Sequence, residues 1–476
     1  MSADQQIDKE KPYYGGGEVN EFIVAEEPRK IQWFRSTLAQ ILIVGFTSFL
    51  APGAYSSLAA VGAGGLANVN IGNASVALAY ALIVPSALCA TGTLSKIGPR
   101  YSLSLGAAGY VFYAAALYQN SATGNQPFLV AGAIICGATS GIFWVSEAAV
   151  TMLYSEPQYK GRYLAIWQSL FQLATCIGGA INLGLNIDLN EIGGLKPKTF
   201  LVFVGLNAIA PIVALLLSNP KQVQRKDRLP VPAFPAEGFF REIWLTIAEL
   251  KNPRIIACCF LWSQSLFIPS WTSTYLAVHF SVRVRGLTSL ITPLLTIMTL
   301  GLVGSILDLK SLSVRVKLVM TWGFLQVLGL GAAIWLLVRQ VRQSKEATVP
   351  TWDWTSPGFA AAWVPYLFSF AASWTSYGYF YYMATYCFPR EASGARTTRI
   401  IATLRSAESG AAAIAFGINS INVPLHHIGY INLAFIIVCL FCGAYVLQWI
   451  WTKDVRGEFD EPDVVSEAPA HLPRID

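Results

Sequence analysis

Charge is what this sequence has least of. Only 13% of its 476 residues are Asp, Glu, Lys or Arg, about half the roughly 25% of a soluble domain. That shortage excludes a disordered chain and an ordinary soluble enzyme. Disulfide scaffolding is excluded too. The eight cysteines (Cys89, Cys136, Cys176, Cys258, Cys259, Cys387, Cys439, Cys442) lie in or beside apolar runs, where they read as small packing residues. The Cys439/Cys442 pair has no His near it, and His279, His426, His427 and His471 lie scattered at run ends, in a loop and in the tail. No metal site is expected. Also missing are G-x-x-x-x-G-K-[ST], G-x-S-x-G and H-E-x-x-H, so neither ATP-driven transport nor a common hydrolase is indicated. The chain is expected to have no catalytic residues and no cofactor. Its net charge of +6 does not point to nucleic acid, because the bases sit in short loops between apolar runs. No short apolar stretch follows a basic N-terminus, so no cleavable signal peptide is expected and the first apolar run would be an uncleaved anchor.

Apolar length is what the sequence has most of. Hydrophobic residues make up 54%, with 14 Trp, 20 Tyr and 26 Phe, as suits many lipid and interface positions. Crossing the hydrocarbon core takes about 20 apolar residues in a helix. Twelve such runs are present: about 36–60, 73–95, 101–119, 127–153, 163–185, 199–218, 255–279, 287–307, 316–338, 358–385, 399–421 and 429–452. The expected fold is all-α and polytopic, with the lipid bilayer as its first partner. Of the 33 Lys and Arg, 26 fall on the side of the two tails, which predicts that both termini are cytosolic. The polar tails are 1–35 and 453–476. The longest break, 219–254, carries seven bases and the run Leu229-Pro-Val-Pro-Ala-Phe-Pro235. It separates 36–218 from 255–452, six runs each. Residues 239–250 fit either a helix along the membrane interface or a solvated linker.

The two halves look repeated. Pro52-Gly53 in the middle of the first run is matched by Pro269-Ser270 in the seventh. Gly92 to Arg100, with Gly98 and Arg100, follows the second run; Gly304 to Lys310, with Asp308, follows the eighth. Such loops resemble the signature of the major facilitator superfamily, whose acid and bases bias alternating access. In the first copy the acid position is Ser95.

Further stretches narrow the resemblance. They are Arg35-Ser36-Thr37, Gly62-Ala63-Gly64-Gly65, Gly98-Pro99-Arg100-Tyr101, Lys160-Gly161-Arg162-Tyr163 with Trp167 and Gly178, Arg283-Val-Arg285-Gly-Leu287, and Asp353-Trp354-Thr355-Ser-Pro357-Gly358. In this order, over about 33–450, they resemble the fungal Unc-ninety-three-like branch of that superfamily. The resemblance implies twelve helices in two six-helix halves. It implies either secondary transport of a small organic solute, with proton coupling as an option, or a non-transporting regulator or trafficking chaperone of a partner membrane protein. It also implies that the first, fourth, seventh and tenth runs line a central cavity while the third, sixth, ninth and twelfth face lipid. The family usually has Asn where this chain has Ser56 and Ala59, positions expected to face that cavity.

Three charged residues lie well inside the runs, where charge is costly and often functional. Glu147 follows Trp144 and Ser146; it is expected either to couple solute or proton movement or to act as a strut bonded to Gln168 or Gln172. Arg405 and Glu408 share a helix face at i, i+3 and are expected mainly to pair, with Arg405 snorkelling to the headgroups. Gln264 and Trp271, with Trp374 and Tyr377, are the further cavity candidates. Asn73-Ala74-Ser75 is a glycosylation sequon expected in the first non-cytosolic loop.

Overall fold

Hydrocarbon offers the backbone no hydrogen bonds, so each crossing segment must satisfy its own N–H and C=O groups as a helix. The computed structural model describes residues 31–156, 159–307, 309, 311–346, 351–387 and 394–455. Among them lie thirteen helices: α1 (Thr37–Ala60), α2 (69–97), α3 (99–123), α4 (Gln126–Tyr154), α5 (Lys160–Asn186), α6 (Pro197–Ala214), α7 (Phe239–Ala248), α8 (Pro253–His279), α9 (Val282–Leu307), α10 (Val314–Gln343), α11 (Phe359–Cys387), α12 (Gly394–Asn419) and α13 (Leu425–Val455). All but the short α7 are spans, six on either side of the linker that contains it. Val327, Met298 and Phe441 are 70–75% exposed on the outer surface, a liability in water and a solvation match in lipid. The protein is a multi-pass membrane protein.

Glycine and proline mark the departures from regular helix. Pro52 has no N–H, and α1 widens into a π-turn over Phe49–Gly53, a common response to a lost bond inside a helix. Gly98 takes φ +74°, which turns α2 sharply into α3; a side chain there would strain. Between helices, glycine allows contact. A Cβ on Gly179 of α5 would lie 2.4 Å from the backbone of Ser289 in α9, and one on Gly286 would lie 2.9 Å from Leu183, so these two spans meet as small-residue helices do in membranes. On the other side of the molecule α2 meets α12, with Tyr80 stacked on Phe416 at 5.8 Å.

At the end of the bundle that carries the linker, α7 is neither a free linker nor simply an interface helix. Glu242 is fully buried and takes two hydrogen bonds from Arg399 of α12 (2.8 and 3.2 Å). Thr246 meets Thr91 of α2 at 3.0 Å, and its carbonyl accepts from Thr403. Phe240 and Trp244 point outward, 83% and 65% exposed. The polar stripe therefore ties α2 to α12, one helix from each half.

The opposite end is closed by Arg285. Its Nε donates to the carbonyl of Val61 (2.5 Å), Nη1 to that of Gly193 (2.6 Å) and Nη2 to that of Gly62 (3.0 Å). All three carbonyls belong to the first half. Gly62 has φ +80°, and a Cβ there would lie 2.5 Å from the Ser273 carbonyl of α8. Nearby, Arg283 pairs with Asp353 and lies over the Trp354 ring at 4.4 Å. The Arg283 guanidinium, helped by Ser281 and Thr355, holds the Asp353 carboxyl below the usual carboxylate range, against the effect of burial.

One sequence expectation is corrected here. Asn73 is not in a loop: α2 begins at Val69, capped by the Asn68 side chain. Asn73 is fully buried and donates to Thr274 Oγ1 and to the Asn419 carbonyl, both at 3.0 Å. A glycan has no access to it in the folded protein. Asp308 lies outside the described residues, and Gly304 sits in the last turn of α9 with open space around it.

The Arg285 clasp generates a prediction. In Arg285→Ala three carbonyls lose their donors, and the two buried ones, of Val61 and Gly62, cost about 1–3 kcal/mol each if left unpaired. A cysteine placed at Ser273, in a background without the native cysteines, should then react with a water-soluble thiol reagent at least several-fold faster. Equal rates in the two backgrounds would show that Arg285 does not hold this end shut.

Candidate solute cavity and buried carboxylate

A cavity of about 100 Å³ lies between the halves, several times the 10–15 Å³ that one water requires. Eight helices line it: α1, α2, α3, α4 and α5 from the first half, α8, α11 and α12 from the second. Eleven of the 26 lining residues are aromatic. Tyr55 meets Tyr113 at 5.5 Å, Trp144 meets Phe171 edge-on at 5.8 Å, and Phe171 crosses to Trp374 at 5.4 Å. Ser56, Ala59 and Gln172 face it as expected.

Arg405 and Glu408 form the charged centre of this wall. Arg405 Nη1 donates to Glu408 Oε2 at 3.0 Å. The guanidinium lies 4.6 Å from the Trp144 ring and 4.7 Å from the Tyr377 ring, within range for cation–π attraction. The expected snorkelling does not occur, and Arg405 is only 5% exposed. Eleven residues separate it from the start of α12 at Gly394, about 16 Å along the axis at 1.5 Å per residue. Thr403, nearer that end, is already covered by α7. Distance and the overlying linker helix keep the charge inside.

Several polar atoms of lining residues have no hydrogen-bond partner in the protein: Arg405 Nε and Nη2, Glu408 Oε1, Gln172 Nε2 and Trp374 Nε1. Buried polar groups normally find partners. These atoms lie within the packed wall of the cavity, with almost no accessible surface of their own.

Glu147 is buried outside this lining. Ser48 Oγ donates to its Oε2, Trp167 Nε1 donates to the same oxygen at 3.4 Å, and Oε1 has no partner. The expectation of a bond to Gln168 or Gln172 is corrected: the carboxyl instead faces Ser48, the residue just before the wide turn of α1. Gln168 Nε2 is buried without a protein partner, and Gln172 lines the cavity. Trp167 also meets Tyr381 of α11 edge-on at 6.0 Å. Glu147 thus lies one side chain from the seam between the halves.

Other candidates fall elsewhere. Gln264 bonds to Gln326 at 3.4 Å and Trp271 to Gln340 at 3.0 Å. Both serve packing between α8 and α10, away from the cavity. Gly98 and Arg100 lie at the α2–α3 turn, with Arg100 over Tyr101 at 5.7 Å. The expectation that the third span faces only lipid is also corrected, because α3 supplies Tyr110 and Tyr113 to the cavity. A signal for this was in the sequence. Gly106 and Gly109 would each place a Cβ against α4, at 2.6 Å from Phe143 and 2.0 Å from Thr139, and the tyrosines at i+4 continue that stripe.

Twelve spans around a central cavity define a membrane protein of the transporter type. The model of the Major Facilitator Superfamily matches residues 37–416. A protein of Aspergillus versicolor named as Notoamide biosynthesis cluster protein O' is 30% identical over 88% of this chain and 90% of its own. An UNC93-like protein of Schizosaccharomyces pombe is 26% identical over 88% of this chain and 83% of its own. Among solved structures, a D-xylose-proton symporter aligns with TM-score 0.55 at 16% identity, covering 87% of this chain and 95% of that one. The xylose transporter of E. coli, partially occluded and inward-open, aligns with TM-score 0.54 at 15% identity, covering 87% and 97%. The chain belongs to the Unc-ninety-three-like family of the major facilitator superfamily.

The Glu147 cluster can be tested apart from any solute. Ser48→Ala and Trp167→Phe each remove a donor to a buried carboxyl and should cost about 1–3 kcal/mol. Glu147→Gln, which keeps an acceptor oxygen, should cost less than either. These differences are read as shifts in the thermal unfolding midpoint of the purified protein. Ser48→Ala unfolding at the wild-type temperature would count against the bond.

Proposed function

We propose that this protein is a secondary transporter that moves a small, largely apolar organic solute through the central cavity by alternating access, with Glu147 coupling the movement to protons. The observation that carries the reading is the aromatic-lined cavity between the two halves, with Arg405, Glu408, Gln172 and Trp374 in its wall. A regulator or trafficking chaperone has no need of such a site. The relative named for a biosynthesis cluster supports a solute drawn from small-molecule metabolism. Glu147 supports coupling because it faces Ser48 of α1 and shares Trp167 with the seam. A proton gained or lost there changes the bonding of Trp167, and Trp167 is the member of this cluster that touches the other half.

The test compares metabolites inside and outside cells that have or lack the protein, followed by flux of the responding solute in proteoliposomes. Wild-type flux should rise with an imposed pH gradient, and Glu147→Gln should lose that dependence by tenfold or more while expressing normally. Gradient-driven flux at the wild-type rate in the mutant would make Glu147 a strut. No solute difference, together with a mislocalised membrane protein in the deletion strain, would replace the transporter by the chaperone.

The basic-residue bias supports a cytosolic location for both tails and the linker. Reporter fusions after residues 125, 235 and 476 should read outside, inside and inside; an outside signal at 235 would overturn this orientation.

A further inference from the structure

The linker helix turns its polar stripe into the bundle and leaves an apolar stripe outside. Phe240, Trp244 and Ile247 are all exposed, and at 3.6 residues per turn they lie nearly opposite Glu242 and Thr246. Depth decides what this outer face meets. In the middle of the bundle α12 touches α2 directly, where Ser406 Oγ donates to the Val84 carbonyl at 3.1 Å. Nearer the linker end α7 stands between them, with Thr246 bonded to Thr91 on one side and to Thr403 on the other. A Cβ on Gly92 would lie 2.7 Å from the Phe239 ring, so α7 is pressed against the flank of α2. Thr91 precedes the Gly98 turn, and Thr403 follows the start of α12 at Gly394, by roughly 10–14 Å along each axis. The linker helix therefore lies alongside the last turns of both spans rather than beyond their tips. That is the level at which a spanning helix passes from acyl chains to headgroups. An apolar stripe containing Trp is solvated there and costly in water.

The charges around this stripe are unbalanced. Glu242 pairs with Arg399, Glu249 with Arg396 and Glu237 with Arg241. Lys96 and Lys251 are exposed, and among the described residues neither has a carboxylate at ion-pair distance. The Lys96 ammonium lies 5.3 Å from the Phe239 ring, which meets Phe240 edge-on at 5.3 Å. One spare cation thus borders the start of the stripe, and Lys251 stands just past its end. Cations flanking an inserted apolar face match a leaflet that carries anionic headgroups.

We infer that α7 is an anchor for anionic phospholipid. Phe240, Trp244 and Ile247 enter the headgroup–acyl boundary beside α2 and α12, and Lys96 and Lys251 draw anionic headgroups to it. The inference does not depend on solute transport. The test uses full-length protein without its native cysteines, in phosphatidylcholine nanodiscs. An NBD fluorophore on Ile247→Cys leaves Phe240 and Trp244 in place, and Phe240→Cys gives a second reporter on the same face. Three quenchers are compared: iodide in the water, and phosphatidylcholine or phosphatidylserine with a doxyl group near the start of the acyl chain, at equal fractions. The lipids should quench and iodide should not. Phosphatidylserine should quench at least twofold more than phosphatidylcholine, and Lys96→Gln with Lys251→Gln should abolish that excess. Strong quenching by iodide puts the face in water and overturns the inference. Quenching by none of the three means that protein, such as a second copy of the chain, covers the face, which overturns it as well. Equal quenching by the two lipids, or an excess that survives the loss of both lysines, refutes the recognition of anionic headgroups. If the double variant fails to fold, about 1 M salt on the wild type makes the same test, because it shortens the Debye length to about 3 Å.

Discussion

A full positive charge buried without a carboxylate partner governs one end of this molecule. Arg285 is satisfied by three backbone carbonyls, and all three belong to the other half of the bundle. Carbonyls can do this only where the chain turns so that they converge, and glycine makes that turn: Gly62, Gly64 and Gly65 all have positive φ. The Leu195 N–H then bonds to the Gly65 carbonyl, and those of Val282 and Arg283 bond to the carbonyls of Glu191 and Leu189. Three connecting segments, after α1, α5 and α8, are thereby joined at one point. Separating the halves at this end would break all three bonds at once, so the closed arrangement is held by bonds that only the joined halves can make.

The rest of the bundle is economical with charge. Away from the helix ends, three ionised-type side chains lie deep in the spans, and each has a defined surrounding. Arg405 and Glu408 neutralise each other beside the cavity, while Glu147 is held by Ser48 and Trp167. The contrast between them is instructive. The paired charges lie in the wall of the cavity and leave it without net charge there. The unpaired acid is set back from it, against Ser48 of α1 and Trp167 of α5.

The linker closes the other end by a different chemistry. There α7 turns its polar stripe inward, and Glu242 and Glu249 pair with Arg399 and Arg396 of α12. An ion-paired clamp at the linker end and a carbonyl clasp at the far end give the two closures different sensitivities. Salt weakens the partly exposed Arg396–Glu249 pair at the linker, while the Glu242–Arg399 pair and the clasp around a buried guanidinium are shielded from it.

The sequence by itself determined the membrane class, the twelve spans and the three intramembrane charges, because bilayer thickness and the cost of charge leave few alternatives. It also marked the family stretches Gly62–Gly65, Arg283–Leu287 and Asp353–Gly358. Only the tertiary structure decided that these stretches meet, with Arg285 on Gly62 and Arg283 on Asp353. It decided that Asn73 is an inter-half strut, because the helix cap at Asn68 starts α2 one turn earlier than the apolar run suggests. It decided that Arg405 faces the cavity and that Tyr110 and Tyr113 line it. A sequence shows which residues share a helix face. Which neighbour that face meets depends on how twelve helices pack, and in lipid that packing is set by close approach and by polar groups seeking partners on other helices.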